Sequence, residues 1–194
     1  PIYKGLGAYG MYMDVQNQIR IITSYDLIAE VIDKINIETS YFIVGRLKKQ
    51  EVFGTLPFMS NVEVQNTSIY EQPLSVKIHN KNEYQLSYEL NDRKINETAK
   101  FGEELATPDF KITLTKNYTF QDESMKSILE PDYEIVFHSR ENLINKYRGR
   151  LQVENIEYTS ILSLTITDEL QPRAKVFLDT LTQAYIDRSE RIQL

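Results

Sequence analysis

The sequence predicts an α+β protein in which helix-bearing segments at the two ends bracket a β-rich middle. Two patterns lead to this class. Apolar residues recur at helical spacing after Ser24 and again after Pro172, whereas between about Asn61 and Val136 short β-favourable stretches alternate with turn residues and no long helix fits. Composition is the third observation: an apolar share of 41% over 194 residues, with 13 Tyr and 8 Phe, supplies a folded core and excludes a disordered acidic tail.

Taken in order, Ala8 to Val15 and Gln18 to Ile22 read as a strand and a lead-in, rich in Tyr, Met, Val and Ile. Ser24 is placed to cap a helix, Asp26 suits its positive end, and Leu27, Ile28, Val31, Ile32 and Ile35 line one face, so the spacing predicts a helix from Tyr25 to Ile35. Tyr41 to Gly45 and Glu51 to Phe53 are short strands, and Leu56-Pro57-Phe58 closes the first α/β segment. The middle offers strands at Val62 to Val64, Leu74 to Ile78, Tyr84 to Leu90, Phe110 to Leu114 and Tyr133 to Phe137. Alternation in Ser75-Val76-Lys77-Ile78-His79 and Lys111-Ile112-Thr113-Leu114 gives one buried and one wet face, the mark of antiparallel sheet. Turns fall at Asn80-Lys81-Asn82 and Asn91-Asp92, and Gln121 to Ser124 reads as a surface segment or a short helix start.

Helical pattern returns after Ser139, with Leu143, Ile144 and Tyr147 inside a short helix that Gly149 ends. Leu151 to Val153 and Thr159 to Thr167 are extended, with Ser160 to Ile166 alternating as a core strand. Pro172 fits the first turn of a last helix whose stripe is Ala174, Phe177, Leu178, Leu181 and Tyr185. Run to Ile192, it would be about 31 Å long. The order suggests a base domain in two pieces, residues 1–58 and 139–194, with a β-rich lobe of residues 59–138 inserted. A continuous mixed-sheet domain gives the same alternation.

Several chemistries are excluded or poorly served. The charge of -6 gives no basic field for nucleic acid. Absent cysteine removes disulfides, thiolate nucleophiles and sulfur-ligated metals. Gly5-Leu6-Gly7-Ala8-Tyr9-Gly10 spells a dinucleotide motif without the strand before it or the helix after it. His79 and His138 belong to no metal spacing; folding could bring His138 near an acidic group and a serine, but Ser139 is better read as a cap. Asp122, Glu123, Glu130, Asp132 and Glu134 could form a carboxylate pair or cation site, and read better as surface charge. Arg46, Lys48 and Lys49, and Arg140, Lys146, Arg148 and Arg150, are basic clusters open to an anionic sugar or lipid, and also ordinary surface. Tyr3, Tyr9 and Tyr12 suit a membrane surface or packing, and three Asn-X-Thr/Ser spellings begin at Asn66, Asn96 and Asn117. No run is long and apolar enough to span a bilayer. With Pro1 first and helix-like sequence to Leu194, the chain is expected to be an excised piece.

Two segments carry a more specific likeness. Gln16-Asn17-Gln18-Ile19-Arg20-Ile21-Ile22-Thr23-Ser24, the helix from Leu27 to Ile35 and Tyr41-Phe42 resemble the first periplasmic segment of the bacterial polysaccharide co-polymerases, the chain-length determinant or Wzz-like proteins. Leu56-Pro57-Phe58 resembles that family's proline corner, where Pro57 would shape the chain. Ser160 to Ala174 and Val176 to Ile186 resemble its strand, proline-started helix and leucine/tyrosine face, with Pro172, Ala174, Leu178, Leu181 and Tyr185 carrying the likeness and Ser24 and Leu27 opening the first helix. Asp179 stands where many relatives have asparagine.

The resemblance covers about Tyr3 to Phe58 and Leu151 to Ile192. It implies a Wzz-like base domain with mixed sheet, helices and a long C-terminal helix, belonging to the periplasmic portion of an inner-membrane protein. It further implies a homo-oligomer beside polysaccharide polymerase or export machinery, with a glycan as a further ligand, acting on the length, assembly or export of O-antigen, capsule or exopolysaccharide. Some members continue into a cytoplasmic tyrosine autokinase, and this sequence carries no phosphate-binding loop. The expectation is a noncatalytic scaffold: no catalytic residue, cofactor or metal. The alternative is a carbohydrate-binding module built on the tyrosine-bearing middle.

Overall fold

The structure, a computed structural model, describes residues 14–117, 125–157 and 159–192. It is an α+β fold with a central antiparallel β region and several helices, including a long C-terminal one. The chain forms two compact units: Glu38–Ser139, and the residues up to Ile37 together with those from Arg140 onward. The first boundary thus lies ahead of Tyr41, not at residue 58.

In the helical unit, residues 14–22 form α1 where sequence reading expected a strand and lead-in. The correction follows from spacing: Val15 and Ile22 are buried, Ile19 lies between them, and intervals of four and three residues suit a helix. The part of that expected strand before Asp14 lies outside the described residues. Ser24 joins α1 to α2 (Tyr25–Lys34). Its hydroxyl donates to the Ile21 carbonyl at 2.7 Å, and its Oγ accepts the Leu27 N–H at 3.3 Å. Ser24→Ala is therefore expected to destabilise the helical unit by about 1 kcal/mol, read as a lower denaturation midpoint at unchanged m value. Leu27, Ile28, Val31 and Ile32 fill the buried face of α2, which packs against α4 (Arg140–Arg150) and α5 (Gln171–Ile192). Gly149 lies inside α4, which runs on to Arg150 and passes straight into β10 (Leu151–Asn155). β10 pairs with β11 (Leu162–Ile166) as a two-stranded hairpin. The expected core strand is half-buried: its alternation is present, with Leu162, Leu164 and Ile166 half-buried and Ile161 exposed.

α5 has 22 residues and is about 33 Å long. Its fully buried stripe is Arg173, Phe177, Leu181 and Ala184, while Ala174, Leu178 and Tyr185 flank it half-buried. The expected stripe was rotated by one residue because a buried arginine does not register as apolar.

The β unit is a two-sheet packing. One sheet runs β2-β1-β9-β4-β5-β6, from β1 (Thr39–Val44), β2 (Lys49–Val52), β4 (Pro73–Ile78), β5 (Glu83–Leu90), β6 (Arg93–Lys100) and β9 (Asp132–Phe137). The other runs β3-β8-β7, from β3 (Phe58–Val64), β7 (Glu104–Ala106) and β8 (Phe110–Lys116). Every described pairing is antiparallel, so the mixed sheet expected of the base is not present among the described residues. Leu74, Val76, Tyr84, Leu86, Ile135 and Phe137 from the first sheet meet Phe58, Phe110, Ile112 and Leu114 from the second in one core. Phe58 lies 5.4 Å from Tyr133 and 6.2 Å from Tyr41, centroid to centroid, so the proline corner opens a core strand of this unit where a domain end was expected. β6 and β7 were not expected; β6 is a polar edge strand brought into register by the turn at Asn91 and Asp92. Both residues take positive φ, 50° and 62°, as a two-residue hairpin turn demands. α3 (Met125–Leu129) follows directly on Gln121–Ser124, which read as a surface segment or a short helix start; that segment itself lies outside the described residues.

Candidate functional site

The residues singled out by family resemblance take structural positions. Ser24 is the cap described above, and Leu27 is buried. Pro57 is half-buried and its carbonyl accepts the Asn117 N–H at 2.9 Å. Pro172, the second residue of α5, is exposed, its missing N–H costing nothing in the first turn. Leu181 and Tyr185, with Gln18, Ile22, Leu162, Leu164 and Thr182, line a groove of about 180 Å³ in the helical unit. Val176 and Ile186 are exposed on α5.

That unit is tied by a network the sequence did not disclose. Asp168 receives the single Arg173 Nε–H, shared between its two carboxylate oxygens, an Nη2 N–H at 2.6 Å, the Tyr147 hydroxyl at 3.0 Å and the Leu170 N–H at 3.0 Å. Burial pushes its carboxyl up, but the Arg173 guanidinium and the Leu170 N–H more than offset this and hold it below the usual range. Arg150 and Arg173 both reach Glu169.

The cluster with the most chemistry sits in the β unit. The pairing register places Ser40, Phe42, Glu51, Glu134 and Val136 on one face of the large sheet, opposite the core face of Tyr41, Ile43, Tyr133, Ile135 and Phe137. One step beyond β9, the His138 N–H donates to the Glu38 carbonyl at 2.8 Å, carrying its side chain onto the Ser40 face. His138 Nε2 lies 2.9 Å from Ser40 Oγ, and Nδ1 lies 2.8 Å from Glu71 Oε2. Ser40 in turn donates its hydroxyl to Glu51 Oε1 at 2.8 Å.

Glu71 is held in place at a conformational cost. It follows a 3-10 turn (Thr67–Ile69), has φ of 63°, and its N–H is locked on the Phe137 carbonyl at 2.8 Å. A non-glycine residue persists in this region only where its surroundings impose it. Lys49 covers the Phe42 ring at 4.3 Å and pairs with Glu134, and Lys77 pairs with Asp132, so the neighbouring charges on this face are matched.

Sequence reading allowed that folding could bring an acid and a serine near His138, and favoured a structural or solvent-facing histidine with Ser139 as a cap. The structure supplies Ser40 and Glu71, residues 98 and 67 positions away, in place of Ser139. Connectivity of Ser40, His138 and Glu71 is that of a general-base triad. Geometry argues otherwise. Ser40 is buried within a regular strand, not on a strand-to-helix elbow, and its proton is already given to Glu51. His79 is exposed, and of the carboxylate run Asp132 and Glu134 serve lysines; Asp122 and Glu123 lie outside the described residues. Among the described residues no group of three or more His, Cys, Asp or Glu is arranged to hold a metal.

Comparison with known proteins is sparse. No family model matches the chain, and no curated protein matches it. Among solved structures, the crystal structure of Xanthomonas campestris FlgL aligns at 9% identity with a TM-score of 0.26, covering 75% of this chain. The chain spans 41% of that structure's length.

Proposed function

We propose that this chain is a noncatalytic scaffold: the Wzz-like periplasmic portion of a bacterial inner-membrane protein that regulates the length, assembly or export of cell-envelope polysaccharide as a homo-oligomer beside the polymerase or export machinery. One observation carries the reading. The two sequence segments that resemble polysaccharide co-polymerases lie far apart in the chain, and their helices pack together: α2 lies against α5, and Arg188 of α5 reaches Glu30 of α2 at 3.0 Å. A fold that gathers those two segments supports a shared origin for both likenesses. Among the described residues, no helix is long and apolar enough to cross a membrane, so anchoring belongs to flanking sequence in this proposal.

The test restores the gene with its native flanks to a strain lacking it and reads polymer length on gels. Wild-type sequence is expected to restore the length distribution. Val176→Asp with Ile186→Asp, on the exposed side of α5, is expected to shorten or broaden it at equal protein level. Unchanged polymer length with and without the gene would end the proposal.

A carbohydrate-binding module remains the second reading, and its motivating tyrosines are largely spent on packing: Tyr84, Tyr88 and Tyr133 are buried, and Tyr41 shares a hydrogen bond with Ser60. Saturable glycan binding mapped to residues 61–137 would favour it over the scaffold.

A further inference from the structure

The Ser40–His138 cluster can be read by counting protons. Ser40 has one proton and gives it to Glu51, so toward His138 its oxygen can only accept; Nε2 must then carry hydrogen. Nδ1 faces a carboxylate oxygen of Glu71 and must carry hydrogen too. All three contacts are satisfied together only by an imidazolium. A neutral ring satisfies two at most. If Nδ1 keeps its proton for Glu71, Nε2 draws the Ser40 proton away from Glu51; if Nε2 keeps it, two acceptors confront each other at Nδ1.

We propose that His138 is a proton-operated clamp on the β unit. Charged, it links Glu71 on the connection before β4, Ser40 on β1 and, through Ser40, Glu51 on β2. Uncharged, it releases the Ser40–Glu51 arm or the Glu71 arm. Its place in the fold gives the clamp a purpose. The chain enters this unit at Glu38 and leaves it at Ser139, and the His138 N–H bond to the Glu38 carbonyl already joins those two strand ends. The Glu71 N–H, held on the Phe137 carbonyl, sets its backbone beside the ring, and its carboxylate reaches Nδ1 at 2.8 Å. The groups facing His138 are Glu71 from the turn, Ser40 from β1, the Glu38 carbonyl just ahead of β1, and Glu51 behind Ser40; on β9, Glu134 is taken by Lys49.

The sign follows directly. A group bound more favourably when protonated contributes its stabilisation on the acid side and loses it as pH rises. His79 is the other histidine, so His79→Gln leaves His138 alone in the ring-nitrogen NMR spectrum. The clamp predicts both ring nitrogens protonated while it is closed, and, once the ring loses a proton as pH is raised, faster amide exchange of Ser40 and its β2 neighbours beyond the intrinsic pH effect. Glu71→Gln, which removes charge and keeps an oxygen, moves the transition to lower pH. Ser40→Ala abolishes the pH effect on β2 exchange while leaving the ring transition present. A ring neutral throughout, or β2 exchange that follows only the intrinsic pH dependence, overturns the proposal. So does labelling of Ser40 by a serine-directed fluorophosphonate that requires His138, since that outcome makes Ser40 a proton donor to His138 and a nucleophile.

Discussion

Asp168→Ala is expected to cost the helical unit about 3–5 kcal/mol, among the largest single losses available outside the apolar core. The argument rests on what is left behind. Arg173 is 7% exposed and Asp168 1%, so truncating the carboxylate takes from a buried guanidinium its nearest charge partner and leaves Glu169, at 3.6 Å and 61% exposed, to serve it. Tyr147 loses its acceptor as well; its hydroxyl is kept protonated by burial and by the neighbouring Asp168 carboxylate, and its ring packs 4.7 Å from Phe177. Arg173→Met alone should be costly for the mirror reason. Asp168→Leu with Arg173→Met should recover most of the loss, because apolar groups of similar size need no partner. Urea unfolding by tyrosine fluorescence reads this cycle: a single-variant loss under about 0.5 kcal/mol is surface behaviour and would remove the pair from the interior. The pH dependence has a fixed sign. The folded carboxyl is held below its ordinary value, so its stabilisation is complete above the unfolded carboxylate value of about 4 and is lost as pH falls through the folded one.

The same pair shows how far the sequence could be read. Leu27, Ile28, Val31 and Ile32 declare a helix face through spacing, and Phe177 and Leu181 do so in α5, because burial of apolar side chains leaves a periodic trace. Arg173 lies on that same buried line and leaves none, since its burial depends on Asp168 being five residues back and folded against it. Helix α1 was obscured by residue identity: Val15, Ile19, Ile21 and Ile22 favour strands as types, but Val15, Ile19 and Ile22 recur at helical spacing. β6 was obscured by polarity, since Arg93, Lys94, Asn96 and Glu97 pair by backbone at an edge and need no buried face. The unit boundary at Ile37 could not be seen because one of the two partners of β1 is β9, far along the chain, while the element just before β1 is helical.

For the candidate site the limit is sharper. His138 was visible as a strand-end histidine, and the idea of an acid and a serine beside it was available. Which acid and which serine depend on two facts of tertiary structure: the antiparallel register that sets Ser40 opposite Val136, and a left-handed Glu71. Glutamate gives no local signal for positive φ, unlike the Asn91-Asp92 turn that composition did reveal.

In the β unit the largest polar effect is expected at Asp109, and it separates burial from charge pairing. Its carboxylate accepts the Asn66 amide at 2.7 Å, the Tyr88 hydroxyl at 2.8 Å and Arg93 Nη2 at 3.1 Å, and its own carbonyl accepts the N–H groups of Gln65 and Asn66. Burial alone would push the carboxyl up; these donors and the Arg93 charge hold it below the usual range. Tyr88, pushed up to about 12 by burial and by Asp109, is a proton donor at neutral pH. Asp109→Ala leaves the Tyr88 hydroxyl without its carboxylate acceptor in a wall 5.2 Å from Phe110, at a cost of about 2–3 kcal/mol. Arg93→Met should cost under about 1 kcal/mol, because that guanidinium is 48% exposed and water already competes for it. Equal losses for the two variants would mean that the ion pair, not the buried hydroxyl, governs the site. Amide exchange at Ile112 and Leu114, in the strand that Asp109 leads into, reports the difference within the β unit alone. Acid should reproduce the Asp109 variant and not the Arg93 one: as pH falls through the depressed folded value the carboxylate takes a proton, the hub ceases to accept from all three donors, and protection of β8 drops.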